Sequence, residues 1–122
     1  MPACRVYAVM GVSLTDPSKY GTRIFKDLLA AGYRVYAVNP KGGELLGNPV
    51  YKTLAELPAT PDGVIMVLPP AALDGAVEQC IAAGVKEIWF QPGARDERAR
   101  QKAQTAGIKT VESCFMAENG IW

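Results

Sequence analysis

Three segments of the chain repeat one grammar: AAGYRVYAVNP (30–40), AAGVKEIWFQP (82–92) and TAGIKTVES (105–113). Each reads as the end of a helix, then a glycine, then a strand rich in β-branched and aromatic residues. Gly32, Gly84 and Gly107 are placed to take the left-handed conformation just past a helix. Two more apolar runs, RVYAVM (5–10) and GVIMVL (63–68), bring the expected strands to five. These runs are continuous rather than alternating, as expected when helices cover both faces of a sheet.

Helices fit the intervals. Ile24, Phe25, Leu28 and Leu29 form an apolar stripe over 21–31, and Leu73, Val77, Cys80 and Ile81 form one over 71–83. Ala99, Ala103 and Ala106 give a thinner stripe over 96–106, and a short helical turn is expected near 53–57. Strand and helix in alternation mean a parallel sheet with right-handed crossovers. The expected fold class is α/β, a doubly wound parallel sheet of about five strands ordered 3-2-1-4-5. All of residues 1–122 are expected in one domain.

Composition removes several classes of function. With 13 basic and 12 acidic residues the formal net charge is +1, which provides no long-range field for nucleic acid or anionic membranes. There is no histidine, so imidazole metal sites and Ser–His or Cys–His catalytic pairs are excluded, and no metal site is expected. Cys4, Cys80 and Cys114 are too scattered for a disulfide framework. The early apolar run, Val6 to Val12, is interrupted by Gly11 and is too short for a secretory or spanning segment. The expected compartment is the reducing cytoplasm.

Ligands of doubly wound sheets bind beyond the carboxyl ends of the strands, where strand order reverses. The junctions there are GVSLTDPSKYGT (11–22), NPKGGE (39–44), LPPAA (68–72) and QPGA (91–94). Pro40, Pro69 and Pro92 close three of the strands, either as plain ladder terminators or as a stiff apolar rim beside a ligand. The first loop lacks the G-x-G-x-x-G pattern, so the tight dinucleotide turn is absent or enlarged. It still feeds a helix at Gly21 or Thr22, whose leading amides favour an anion. Ser13, Ser18 and Thr22 offer hydroxyls there, and Lys19 and Arg23 offer charge or are simply solvated. Where a free ribose is usually met by an acid, this chain has Asn39, Pro40 and Lys41. Asn39 accepts only weakly and Lys41 not at all. Lys41 therefore suits a ribose that carries a phosphate, as in NADP or coenzyme A, or it is a charged tip on a glycine hinge.

The phrases VNPKGGELLGNPVY (38–51), LPPAALDGAVEQCIAAGVKEIWFQPGA (68–94) and ESCFM (112–116) resemble the family of small bacterial CoA-binding domain proteins. These look in turn like the nucleotide-binding half of the succinyl-CoA synthetase α subunit. The likeness runs from VMGVS to CFM and implies a Rossmann-like fold that binds coenzyme A. By position it implies that Gly11, Val12 and Ser13 meet the phosphates; Lys19, Tyr20 and Gly21 at the head of the helix are further candidates for the same site. It implies that Pro40 and Lys41 flank the adenosine and its 3′-phosphate. Leu68, Pro69 and Pro70 would line the nucleotide or pantetheine path, and Gln91 to Gly93 would close the far side. The synthetase subunit carries its phosphohistidine in a further domain. This chain has neither, so the expectation is a binding site without the ligase reaction and with no catalytic residue.

Three rivals remain open. They are an NADP-binding oxidoreductase or redox sensor, a subunit of a multi-chain acyl-CoA ligase, and an interaction domain that has lost its ligand. Cys80 reads as a buried structural thiol, and Cys4 falls before the first strand. Cys114 lies on the ligand side, where the resembling family often has cysteine; it is either packed or within reach of a CoA thiol for disulfide exchange. The apolar tail FMAENGIW is expected to pack on the body of the domain or on a second copy in a homodimer.

Overall fold

The computed structural model describes residues 5–122; the expectation for Cys4 lies outside them. β1 (Val6–Met10), α1 (Tyr20–Ala30) and β2 (Arg34–Val38) open the chain, followed by β3 (Gly43–Leu45) and β4 (Asn48–Tyr51). A single 3₁₀ turn (Leu54–Glu56) leads to β5 (Gly63–Met66), α2 (Pro70–Ala83), β6 (Glu87–Phe90), α3 (Glu97–Thr105), β7 (Lys109–Val111) and α4 (Phe115–Glu118). The five expected strands and three expected helices are all present. Gly32, Gly84 and Gly107 follow their helices with φ of +85°, +75° and +87°.

The sheet has seven strands in the order β3-β4-β2-β1-β5-β6-β7, all parallel except the β3–β4 pair. This corrects the expected count and order. The run at 63–68 does not lie outside β2; it pairs with β1 on the other side. The outer place belongs to β4, which the sequence conceals because Asn48 and Pro49 head it. Pro49 is tolerated because pairing with β2 begins only at Val50. The β3–β4 hairpin turns through Leu46 (φ +53°) and Gly47 (φ +78°), the left-handed pair that suits a tight two-residue turn.

Side chains of β1 alternate between two apolar layers. Tyr7 and Val9 pack with Ile24, Phe25 and Leu28 of α1, a layer that also takes Phe115 and Met116. Ala8 and Met10 pack with Leu73, Val77 and Cys80 of α2 and with Ala99 and Ala103 of α3. Two stripe assignments need correction. Ile81 is 36% exposed, since Cys80 takes the inward position on that turn. Ala106 is exposed as the residue that caps α3. Leu29 is half-buried at the margin of α1.

Candidate functional site at the carboxyl rim

After β1 the chain crosses by α1 to β2 on one face; after β5 it crosses by α2 to β6 on the other. Strand order therefore reverses beside β1, and a cleft of about 220 Å³ opens there on the α2 side. Met10, Gly11, Val38, Asn39 and Pro40 form its strand side, at the ends of β1 and β2. Leu68 and the α2 residues Ala72, Gly75, Ala76 and Gln79 form the opposite wall. Spacings of three, four and seven put those four on one helical face, beside the buried Leu73–Val77 stripe. A broader recess of about 450 Å³ shares Gln79 but lies between the 3₁₀ turn and the C-terminal half of α2, away from the strand ends.

Gly11 sets the height of the rim. Its φ is +117°, and a Cβ there would lie 2.2 Å from the Val67 carbonyl oxygen. Gly21 makes the next contact, since a Cβ on it would lie 2.4 Å from the Gly11 oxygen. The first loop thus lacks the dinucleotide spacing yet uses two glycines to bring strand, loop and helix backbone together.

Hydrogen bonds within the loops use most of the polar side chains expected to face a ligand. The Ser13 amide donates to Thr22 Oγ1 at 2.8 Å, and Thr22 Oγ1 donates back to the Ser13 carbonyl at 3.0 Å. Ser13 Oγ accepts from the Asp16 amide at 3.1 Å. Asp16 accepts from the Ser18 hydroxyl at 2.6 Å and from the Ser18 amide, which holds its carboxyl below the usual range. Asn39 ties the first two loops together. Its Nδ2 donates to the Val12 carbonyl at 2.8 Å and its Oδ1 accepts from the Lys41 amide at 2.8 Å.

The other expected residues fall in distinct places. Val12 is buried, Lys41 is exposed beside Pro40, and Lys19 is exposed ahead of α1 with no side-chain cap. Pro69 and Pro70 are exposed at the head of α2, where a proline needs no donor. Gly93 is exposed in a turn with φ of +89°. Tyr20 and Gln91 belong to a second cluster under the α1 side. The fully buried Gln91 donates from Nε2 to Tyr20 Oη at 3.0 Å and accepts from the Phe115 amide at 2.7 Å. Tyr20 Oη lies 3.3 Å from Cys114 Sγ.

Burial pushes the Cys114 thiol up. Hydrogen bonds from Tyr20, the Ala117 amide, Gln91 and the Met116 amide outweigh that and leave it below the ordinary thiol value. Cys80 has only burial, which raises it to about 12. The tail packs on its own chain: Trp122 meets Tyr20 in a tilted ring contact with centroids 5.4 Å apart, lies under the Arg23 guanidinium and donates to Asp27 at 2.7 Å.

Sequence reasoning missed Lys52 and the α2 wall. The signal for the wall was present as small residues at 72, 75 and 76 next to an apolar stripe. Lys52 has no local pattern; the pairing of β4 with β2 and β3 brings it to the cleft.

Fold, switch point and cleft together define a Rossmann-like α/β domain with an open cleft at its rim. The CoA binding domain model matches residues 5–120, and the chain belongs to that family. An ADP-forming acetate–CoA ligase I from Archaeoglobus fulgidus is 34% identical over 117 residues, which cover 88% of this chain and 17% of the relative. The chain thus spans between about a tenth and a fifth of the length of the curated ligases it matches. A solved conserved hypothetical protein from Pyrococcus furiosus is 38% identical with a TM-score of 0.85, covering 93% of this chain and 98% of that one. The dinucleotide-forming acetyl-coenzyme A synthetase 1 of Ca. Korarchaeum cryptofilum is 29% identical with a TM-score of 0.78, covering 92% of this chain and 26% of that one.

Proposed function

We propose that this chain holds coenzyme A or an acyl-CoA by its nucleotide end in the rim cleft, as a non-catalytic sensor or accessory domain spanning residues 1–122. The observation that carries it is a cleft at the switch point, with Gly11 and Pro40 on one side and the small-residue face of α2 on the other. In this reading Gly11 and Val12 approach the phosphates by backbone and Ser13, whose amide is held by Thr22, by its hydroxyl, with Lys19 and the Tyr20–Gly21 helix start beside them. Pro40 and Lys41 flank the adenosine, Leu68, Pro69 and Pro70 line the path outward, and Gly93 bounds the far side. Gln91 acts through Tyr20 and not by contact. Among the described residues no helix is long and apolar enough to cross a membrane, and no group of acidic or thiol side chains is gathered to hold a metal.

Isothermal calorimetry with CoA, acetyl-CoA and NADP tests the reading. Saturable binding of CoA with no competition by NADP supports it; absence of heat with CoA overturns it. A second reading, a ligase subunit, is favoured by the likeness to domains of much longer ligases. Recovery of the chain in a complex with partner chains that carry a phosphorylatable histidine favours this second reading. Light scattering at graded concentration decides the homodimer.

A further inference from the structure

We infer that Lys52 is the second cation of a two-lysine clamp for an extra phosphate on the ligand's ribose, an assignment that rests on the nucleotide-binding reading above. Lys52 lines the cleft together with Asn39 and Pro40, and Lys41 follows Pro40 in the chain and is exposed. The hairpin brings the two together. Its open end is closed by the Gly43–Val50 pair; Lys41 enters two residues before that pair and Lys52 leaves two residues after it. The Lys52 stem lies over Gly42, whose Cβ, if it had one, would sit 3.2 Å from both Cγ and Cε. Gly42 is buried beneath that stem with φ of +67°.

Neither ammonium is neutralised. Among the described residues the ion pairs involve Arg5, Arg100 and Lys102, not Lys41 or Lys52. Glu44, three residues from Lys41, is in none of these ion pairs, and Glu56, four residues from Lys52, spends an oxygen on the Lys52 backbone amide at 3.1 Å. Two unpaired lysines leaving one hairpin end repel each other. A dianion between them removes that repulsion and gains charge-assisted hydrogen bonds. Such a dianion on a nucleotide is a ribose monophosphate, carried at the 3′ position by coenzyme A and at the 2′ position by NADP.

The test is a calorimetric comparison of CoA with dephospho-CoA, and of NADP with NAD, on wild type, Lys52→Met, Lys52→Ala and Lys41→Ala/Lys52→Met. Lys52→Met keeps the stem over Gly42, and its unfolding midpoint serves as the folding control. Wild type is expected to prefer CoA over dephospho-CoA by about 3- to 30-fold, the range for partly solvated charge-assisted bonds. Either Lys52 variant should lower that ratio several-fold without changing dephospho-CoA affinity, and the double variant should bring it near one. An undiminished ratio in Lys52→Met overturns the inference, as does equal weakening of both ligands. Equal binding of CoA and dephospho-CoA by wild type also overturns it while leaving the CoA reading intact. A Lys52-dependent preference for NADP over NAD, with no CoA binding, upholds the clamp and overturns the CoA reading. Binding of none of the four overturns both.

Discussion

Gly11 and Gly93 both have positive φ, yet they answer to different constraints. A Cβ at Gly93 meets nothing within 4 Å, so Gly93→Ala should cost only the left-handed conformational penalty, about 1–2 kcal/mol. At Gly11 the same methyl meets the Val67 carbonyl, so Gly11→Ala should lose more in a urea titration and should also lose ligand affinity. Equal midpoints for the two variants would show that the backbone contact is dispensable. The cysteines separate in the same way. Cys80 is raised from 9.0 to about 12 in the folded state. Its contribution to stability is complete below pH 9 and is lost as pH rises toward 12, because only the unfolded chain ionises readily. Between pH 8 and 11 wild type should therefore lose thermal stability faster than Cys80→Ala. Cys114 is lowered, so iodoacetamide should label it at a pH where Cys80 stays silent, and Tyr20→Phe should move its labelling profile upward by removing a donor.

At the scale of elements, α2 packs into the core on one face and lines the cleft with another. Leu73 and Val77 face the core, while Gly75 faces the cleft from mid-helix, where glycine costs about 1 kcal/mol relative to alanine. A Cβ at Gly75 meets no atom within 4 Å, so nothing in the packing requires glycine there. Gly75→Ala should raise the unfolding free energy by up to about 1 kcal/mol, and Gly75→Leu should keep the fold while abolishing CoA binding. Unimpaired binding in Gly75→Leu would move the ligand out of this cleft. The same element marks the limit of what sequence made legible. Strands and helices declare themselves because glycine, branched and charged residues alternate on a short period, and Gly11, Pro40 and Leu68 stand at strand ends that this period locates. β3 and β4 escape because Gly43, Pro49 and the Leu46–Gly47 turn look like loop, and without β4 the order of the sheet is misread. Lys52 escapes for the same reason: its place depends on a strand with no signature.

For the whole molecule, the two apolar layers make folding and ligand holding one equilibrium. A ligand that binds only the native form stabilises it by mass action, about 2.7 kcal/mol at a free concentration one hundred times its Kd. CoA should therefore raise the unfolding midpoint in a concentration-dependent way, and dephospho-CoA should do so less at equal concentration. A midpoint indifferent to CoA would contradict binding at the rim. The tail belongs to this scale as well. Trp122 lies on Tyr20, which reaches Gln91 and Cys114, so indole fluorescence reports on the α1 side of the sheet.

The β3–β4 hairpin works as a ruler. Its backbone ladder runs from the Leu46–Gly47 bend to the Gly43–Val50 pair, two residues short of each lysine, and β4 is aligned on β2 as well, so the lysines take their places from strand alignment and from the Lys52 stem over Gly42. Deleting one residue near the bend would slide one arm past the other and turn alternate side chains to the opposite face. A chain so shortened would keep its charge and its core and, on the proposed clamp, would lose its measure of the ligand.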